Sequence, residues 1–200
     1  MTNSALIIFT RNPELGKCKT RLAKSIGNEE ALHVYKYLLQ HTANEAKKAD
    51  CTRFVYYSEK IRTKDIWDDT YFTKKQQHGD DLGQRMKNAF TDCFSMGYDK
   101  VVIVGSDLLD LSENIIEKAF LKLNDNDAVI GPAEDGGYYL LGLTQAFPEV
   151  FNIAHWGTQT VYKETIAKLN SKKTAVLKIL NDIDYLEDLK PYPRFAHYFN

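Results

Sequence analysis

The order of elements predicts a one-domain α/β fold: a mostly parallel central sheet with helices on both faces. Three observations carry that expectation. Short apolar runs alternate with segments of helical periodicity along the whole chain. The opening run, "ALIIFT", is apolar without an amphipathic period, as a strand buried on both faces would be. Gly105, Gly131 and the pair Gly136–Gly137 stand just past the ends of such runs. In sheets of this type the ligand crevice lies beyond the carboxyl ends of the strands.

The elements follow in order. After "ALIIFT" comes a basic loop, and Asn28 can then cap a helix to about Ala49 that buries Leu32, Tyr35, Leu38, Leu39, Thr42 and Ala46. "TRFVYYS" reads as the second strand, followed by a weak element near Asp65–Asp69 and a short strand around Tyr71–Gln76. Asp80 or Asp81 opens a helix whose shared face holds Leu82, Met86, Ala89, Phe90, Cys93 and Phe94, with Gly97 as its stop. "KVVIVGSD" is the clearest strand. Ser112 then caps a helix burying Ile115, Ile116, Ala119, Phe120 and Leu123. "DAVIGP" and "YYLLGL" are two further strands separated by "AEDGG". A helix over Thr158–Leu169 and a last strand, "TAVLKIL", close the core. The tail, residues 190–200, contains the aromatic "PYPRFAHYF" and is expected to pack on the body or on a partner subunit, which leaves a homodimer open.

The chain has 200 residues, 44% of them hydrophobic, enough for one full-sized core. A net charge of -1 argues against whole-surface attraction to nucleic acid or an anionic membrane, so an anion site must be local. No apolar run approaches the ~20 residues of a membrane span. Cys18, Cys51 and Cys93 are scattered without a metal-binding spacing, which fits reduced thiols in a cytoplasmic protein. The neighbouring cations could lower the thiol pKa of Cys18.

Five loops hold candidate chemistry. In "FTRNPELGKCKTRL", Arg11, Lys17, Lys19 and Arg21 stand against a single acid, Glu14. In an extended loop the alternate spacing of Lys17, Lys19 and Arg21 would point all three the same way. With freed backbone amides, such a loop suits a di- or triphosphate; a solvated basic loop is the rival reading. It is neither a Walker A motif nor GxGxxG. In "QQHGDDLGQRM", Arg85 sits at a helix start where an anion could bind, or where charges merely cap. In "GSDLLDL", Asp107 ends a buried strand and suits Mg²⁺ or Mn²⁺ with phosphate oxygens, or else caps a turn; Asp110 reads as a cap. "GPAEDGGYYLLGL" places Asp135, Gly136 and Gly137 at a turn that ordinary hairpin chemistry also explains. "NDIDYLEDL" offers Asp182 or Asp184 to complete a two-carboxylate site with Asp107. Trp156, in "HWGTQTV", suits ring stacking or plain packing.

Taken together and in order, FTRNPELGKCKTRL, QHGDDLGQRM, GSDLLDL, GPAEDGGYYLLGL, HWGTQTV and DIDYLEDL resemble the bacterial glycosyltransferase-like family of domain of unknown function 2064. The likeness runs from about Leu6 to Leu189. One departure is Leu109, where the family usually has proline. The resemblance implies a nucleotide-diphospho-sugar transferase fold, the GT-A type. It implies an enzyme that transfers a nucleotidyl or glycosyl group from a nucleotide or nucleotide-sugar donor to a small acceptor. Arg11, Lys17, Lys19 and Arg21 fall on its nucleotide loop, with Arg85 as a further phosphate or acceptor contact. Asp107 falls on its metal aspartate, with Asp184 as second ligand for Mg²⁺ or Mn²⁺. Asp135, Gly136, Gly137 and Tyr138 fall on its DGGY motif near the acceptor, where Trp156 could stack. Lys19, Asp107 and Asp135 are the expected catalytic groups. The competing expectation is a nucleotide-sensing protein that keeps the cleft without turnover.

Overall fold

The computed structural model describes residues 3–199. Seven strands form one sheet: β1 (Ser4–Thr10), β2 (Thr52–Tyr57), β3 (Thr73–Gln76), β4 (Lys100–Val104), β5 (Ala128–Pro132), β6 (Tyr138–Leu143) and β7 (Thr174–Val176). Their order is β3-β2-β1-β4-β6-β5-β7. All pairings are parallel except those of β6, which runs antiparallel to both β4 and β5. The reason is local, because a parallel crossover needs a dozen or more residues. The turn at 133–137 is too short for one.

Strand alternation divides the core into two halves. Leu6, Ile8, Val102 and Val104 face one side of the sheet, where α1 (Thr20–Ile26), α2 (Asn28–Lys48) and α4 (Glu113–Lys122) pack. Ala5, Ile7, Val101 and Ile103 face the other, against α3 (Leu82–Ser95) and the 3-10 turn Pro148–Phe151, with α5 (Val161–Lys168) at its margin. Each fully buried aliphatic side chain of these layers contributes about 1.5–3 kcal/mol. The fold is therefore the expected three-layer α/β arrangement. Phe195 of the tail is buried in the first half-core and meets Tyr37 of α2 edge-on at 5.7 Å.

Several element-level expectations need correction. The basic loop is not extended to Asn28: it contains α1, whose Leu22 is fully buried. Gly27, at φ 84°, ends that helix and precedes α2. Leu82 is exposed, and Gly83 takes its place on the buried face of α3. Asp81 rather than Asp80 caps this helix, accepting from the Gln84 N–H at 2.8 Å. Ser112 stands at the start of α4 but makes no side-chain capping bond. No regular element occupies 65–69, the last strand shrinks to three residues, and α5 starts three residues later than expected. The Cys18 thiol is not lowered on balance: burial pushes its pKa up and outweighs the opposing pull of the Glu14 carbonyl contact and of Lys19 and Arg11. No helix among the described residues is long and apolar enough to cross a membrane.

Candidate active site

The chain runs from β1 outward through β2 to β3, then returns to place β4 on the other side of β1. Between β1 and β4 the connections diverge, which opens a crevice at their carboxyl ends. The basic loop leaves β1 there, and the Gly105–Asp110 segment leaves β4 there. The third contributor is the segment after β7. Its Ile183 N–H donates to the Asp107 carbonyl at 3.1 Å, bringing Asp184 alongside.

Lys19 stands at the centre. Its Nζ donates to Asp107 Oδ2 at 3.0 Å and to Asp184 Oδ1 at 2.8 Å, with only 5% of the side chain exposed. Arg21 donates from one guanidinium nitrogen to Asp184 Oδ2 at 2.9 Å, and its guanidinium lies over the Tyr185 ring. Burial opposes the ammonium charge of Lys19, but Asp107 and then Asp184 more than offset it, so its pKa stays well above the usual lysine range. Burial likewise opposes the Asp184 carboxylate, and Lys19 and Arg21 hold its pKa below the usual range. The backbone of Lys19 is left-handed (φ 49°, ψ 43°) at the start of α1. For a non-glycine residue that conformation costs about 1–3 kcal/mol and clusters at functional sites.

Sequence reasoning missed the groups that brace this centre. Asp188 Oδ2 accepts from the N–H groups of Asp184 (2.8 Å) and Tyr185 (2.6 Å). Tyr35, buried on α2, accepts from Arg11 N–H at 3.0 Å and lies 3.5 Å from Ser106 Oγ. Asn12, also buried, donates to the Lys60 carbonyl at 2.8 Å and accepts from Glu59 N–H at 3.0 Å, tying the loop to the end of β2. An asparagine before proline reads as a turn residue, so only tertiary contact exposes this role.

The other expected residues divide. Lys17 does not point with Lys19 and Arg21: a turn through Gly16 (φ 73°) sends it outward to Glu14 at 2.9 Å. Among the described residues Arg11 forms no ion pair with the carboxylates; it lines a separate cavity. Arg85 donates from Nε to the Gly79 carbonyl at 3.0 Å, bracing the loop before α3. Asp135 Oδ1 accepts from Gly137 N–H at 2.8 Å within an exposed turn. Gly136 allows the close approach of residues 155–160, since a Cβ there would lie 2.2 Å from the Gln159 carbonyl oxygen. Tyr138 and Trp156 meet edge to face at 6.4 Å and pack against the second half-core. The indole Nε1 of Trp156 is buried without a hydrogen-bond partner among the described residues.

Among the described residues, no three acidic, histidine or cysteine side chains converge as a ready-made metal cage. The donor set nevertheless fits Mg²⁺ or Mn²⁺, which are commonly held by one or two carboxylates plus substrate phosphates and water. Asp107 and Asp184 already share one cation, and the neighbouring Asp182 has a buried Oδ1 without a partner. Burial and then the nearby Asp107 raise the pKa of Asp182. That shift, to about 8, leaves Asp182 largely protonated near neutral pH, so the two ionised carboxylates, Asp107 and Asp184, are matched by Lys19 and Arg21.

A doubly wound sheet with one reversed strand, and a cation–carboxylate centre at the crevice, define the nucleotidyltransferase-like, GT-A class of α/β fold. The family described as uncharacterized protein conserved in bacteria, domain of unknown function 2064, matches residues 41–158, more than half of the chain. The chain belongs to that family. The match includes Asp107 and the DGGY turn but neither the basic loop nor Asp184. A crystal structure from Desulfovibrio desulfuricans G20, provisionally named a nucleotide-diphospho-sugar transferase, is 34% identical with a TM-score of 0.89. The match covers 97% of this chain and 88% of that one. More distant likenesses show the fold alone. One is 4-diphosphocytidyl-2C-methyl-D-erythritol synthase from Anaerococcus prevotii (13% identity, TM-score 0.64, covering 98% and 96% of the two chains). Another is a CMP-2-keto-3-deoxy-manno-octonic acid synthetase complexed with CTP (9%, 0.61, covering 99% and 100%). No curated protein matches the sequence significantly.

Proposed function

We propose that this protein is a transferase that takes a nucleotide donor, as an NTP or a nucleotide sugar, and transfers its nucleotidyl or glycosyl group to a small acceptor. One observation carries the reading: Lys19 is held in a strained backbone between Asp107 and Asp184, at the crevice of a GT-A-type sheet. The transferase name of the 34% identical Desulfovibrio protein, and the cytidylyl chemistry named for the distant neighbours, support the same class.

In such a reaction an acceptor oxygen attacks the nucleotide phosphorus or the sugar carbon, and negative charge grows on the departing phosphate oxygen. Positioned cations then do most of the catalysis, because they meet that charge in a partly dry site without reorganising. Lys19 and Arg21 take this role once donor phosphates compete with Asp184 and Asp107 for them. Lys17 is 61% exposed and can turn from Glu14 to the outer phosphate. Asp107 and Asp184 would hold Mg²⁺ or Mn²⁺ together with phosphate oxygens; when bound, the ion neutralises phosphate charge as a Lewis acid. Arg85 steadies the loop on the donor side. On the acceptor side, the second carboxylate oxygen of Asp135 is free of the turn's hydrogen bond and can take the acceptor's proton, while Gly136, Gly137, Tyr138 and Trp156 shape the wall.

The test is a thermal-shift panel of nucleoside triphosphates and nucleotide sugars, each with Mg²⁺, Mn²⁺ or EDTA. A ligand at 100 times its Kd adds about 2.7 kcal/mol, which moves the midpoint by several degrees. A metal-dependent shift with one donor, lost in Asp107→Ala, is the expected result. Release of pyrophosphate then marks nucleotidyl transfer, and release of a nucleoside diphosphate marks glycosyl transfer. Binding without any product supports a sensing protein, and a silent panel on folded protein overturns the assignment.

A further inference from the structure

On the α2 side of the sheet, between the basic loop and the segment 59–71, lies a cavity of about 200 Å³ that the transferase reading leaves unused. Its floor is apolar: Leu39 of α2, Ile66 and Trp67, the indole being 1% exposed and stacked edge-on against Phe72. Three cations, Arg11, Lys36 and Arg62, come to its mouth from three separate segments. None of them forms an ion pair among the described residues, and the only side-chain bond of Arg62 is a long 3.5 Å contact to the Pro13 carbonyl.

The acids nearby are already engaged. Asp65, which also lines the cavity, is paired with the buried Lys74 at 3.0 Å and accepts from Tyr57 Oη at 2.7 Å. Glu14 is held by Lys17 at 2.9 Å and by Lys60 at 3.8 Å. The cavity therefore presents unmatched positive charge over an aromatic and aliphatic floor. Pockets with a mostly apolar lining and a few convergent polar groups are where small ligands bind, and guanidinium groups grip carboxylate and phosphate in two-pronged fashion.

We infer that this cavity is a second ligand site, for a small organic anion: an apolar or aromatic body on Trp67, Ile66 and Leu39, and a phosphate or carboxylate on Arg11, Lys36 and Arg62. It is distinct from the Asp107–Lys19–Asp184 centre, none of whose three residues lines it. The inference does not depend on the transferase reading.

Calorimetric titration of the full chain with phenyl phosphate, benzoate and benzyl alcohol tests it. The expected result is saturable one-to-one binding of at least one anionic probe and none of the alcohol. Whichever anion binds more tightly names the head group. Lys36→Glu and Arg62→Glu, each checked for an unchanged melting temperature, should weaken binding at least tenfold, and Arg21→Ala should leave it in place. No heat with either anion, equal binding of the alcohol, or full affinity in both charge-reversed variants would overturn the site. Loss in Arg21→Ala would overturn it too, by moving the binding to the catalytic crevice. Neither a filled nor an empty cavity decides whether a nucleotide donor binds at the catalytic crevice, so the two readings fail separately.

Discussion

At Lys19 the charge, the backbone and the partners all act on one side chain. Replacing it with methionine keeps the apolar stem but leaves Asp107 and Asp184 facing each other without their shared cation. Turnover of the donor identified by thermal shift should fall by about two orders of magnitude, the usual cost of one lost electrostatic donor, as read by product release. Asp135→Asn separates turn from chemistry. The amide oxygen can still accept from Gly137 N–H, so the melting temperature should not move, while turnover falls if the carboxylate takes the proton. Equal activity in the variant would reduce Asp135 to a turn residue. At this scale the motif residues were legible because their types are costly without a purpose: cations crowded in one loop, an aspartate at a strand end. What could not be read was direction. Lys17, Lys19 and Arg21 alternate in sequence, yet the turn at Gly16 and the start of α1 send Lys17 to Glu14 and the other two to Asp184.

Elements place those residues, and two glycines show how. Gly136→Ala would drive a Cβ to 2.2 Å from the Gln159 carbonyl in a backbone already at φ 87°. Gly97→Ala has the same positive φ, 88°, but meets nothing within 4 Å. The second should cost about 1–2 kcal/mol, the penalty of the left-handed conformation. The first should cost visibly more, because the backbone of 158–160 must also shift. Denaturant midpoints of the two variants compare them directly, and equal losses would contradict the close approach. Strands and long helices were legible from apolar runs and helical periodicity. The seven-residue α1 was not, since its two anchors, Leu22 and Ile26, give too short a pattern to distinguish from a loop. β7 was overread for a related reason: "TAVLKIL" carries the composition of a strand, but only its first three residues form a regular ladder with β5. Beyond them Leu177 N–H donates to the Ile130 carbonyl at 2.8 Å and Leu180 N–H to the Pro132 carbonyl at 3.1 Å, with both side chains buried.

The whole molecule depends on a core shared by distant segments. Phe195 of the tail is 4% exposed against Tyr37, so Phe195→Ala should lose about 3 kcal/mol or more. For a chain of this size, that lowers the melting temperature by roughly 6–12 °C. An unchanged midpoint would detach the tail from the fold. The thiols make a second global probe. Burial pushes Cys51 and Cys93 up to about 12 and raises Cys18 as well. A thiol with a raised pKa is protonated, and so inert, until the pH exceeds it. Native protein should therefore alkylate slowly through pH 9, and all three thiols should react at once after denaturation. By itself, the sequence determined the α/β class, the strand-end positions of the candidate residues and the family resemblance. Those depend on local periodicity and on residue type, which are present in the chain before it folds. Only the tertiary structure decided that Asp107 and Asp184 share Lys19, that Arg11 lines a different cavity, and that Asp188, Tyr35 and Asn12 brace the crevice. Apart from the Asp188 turn, which closes within its own segment, those contacts join segments distant in sequence, and their geometry exists only once the sheet order and the burial of both faces have set where the loops meet.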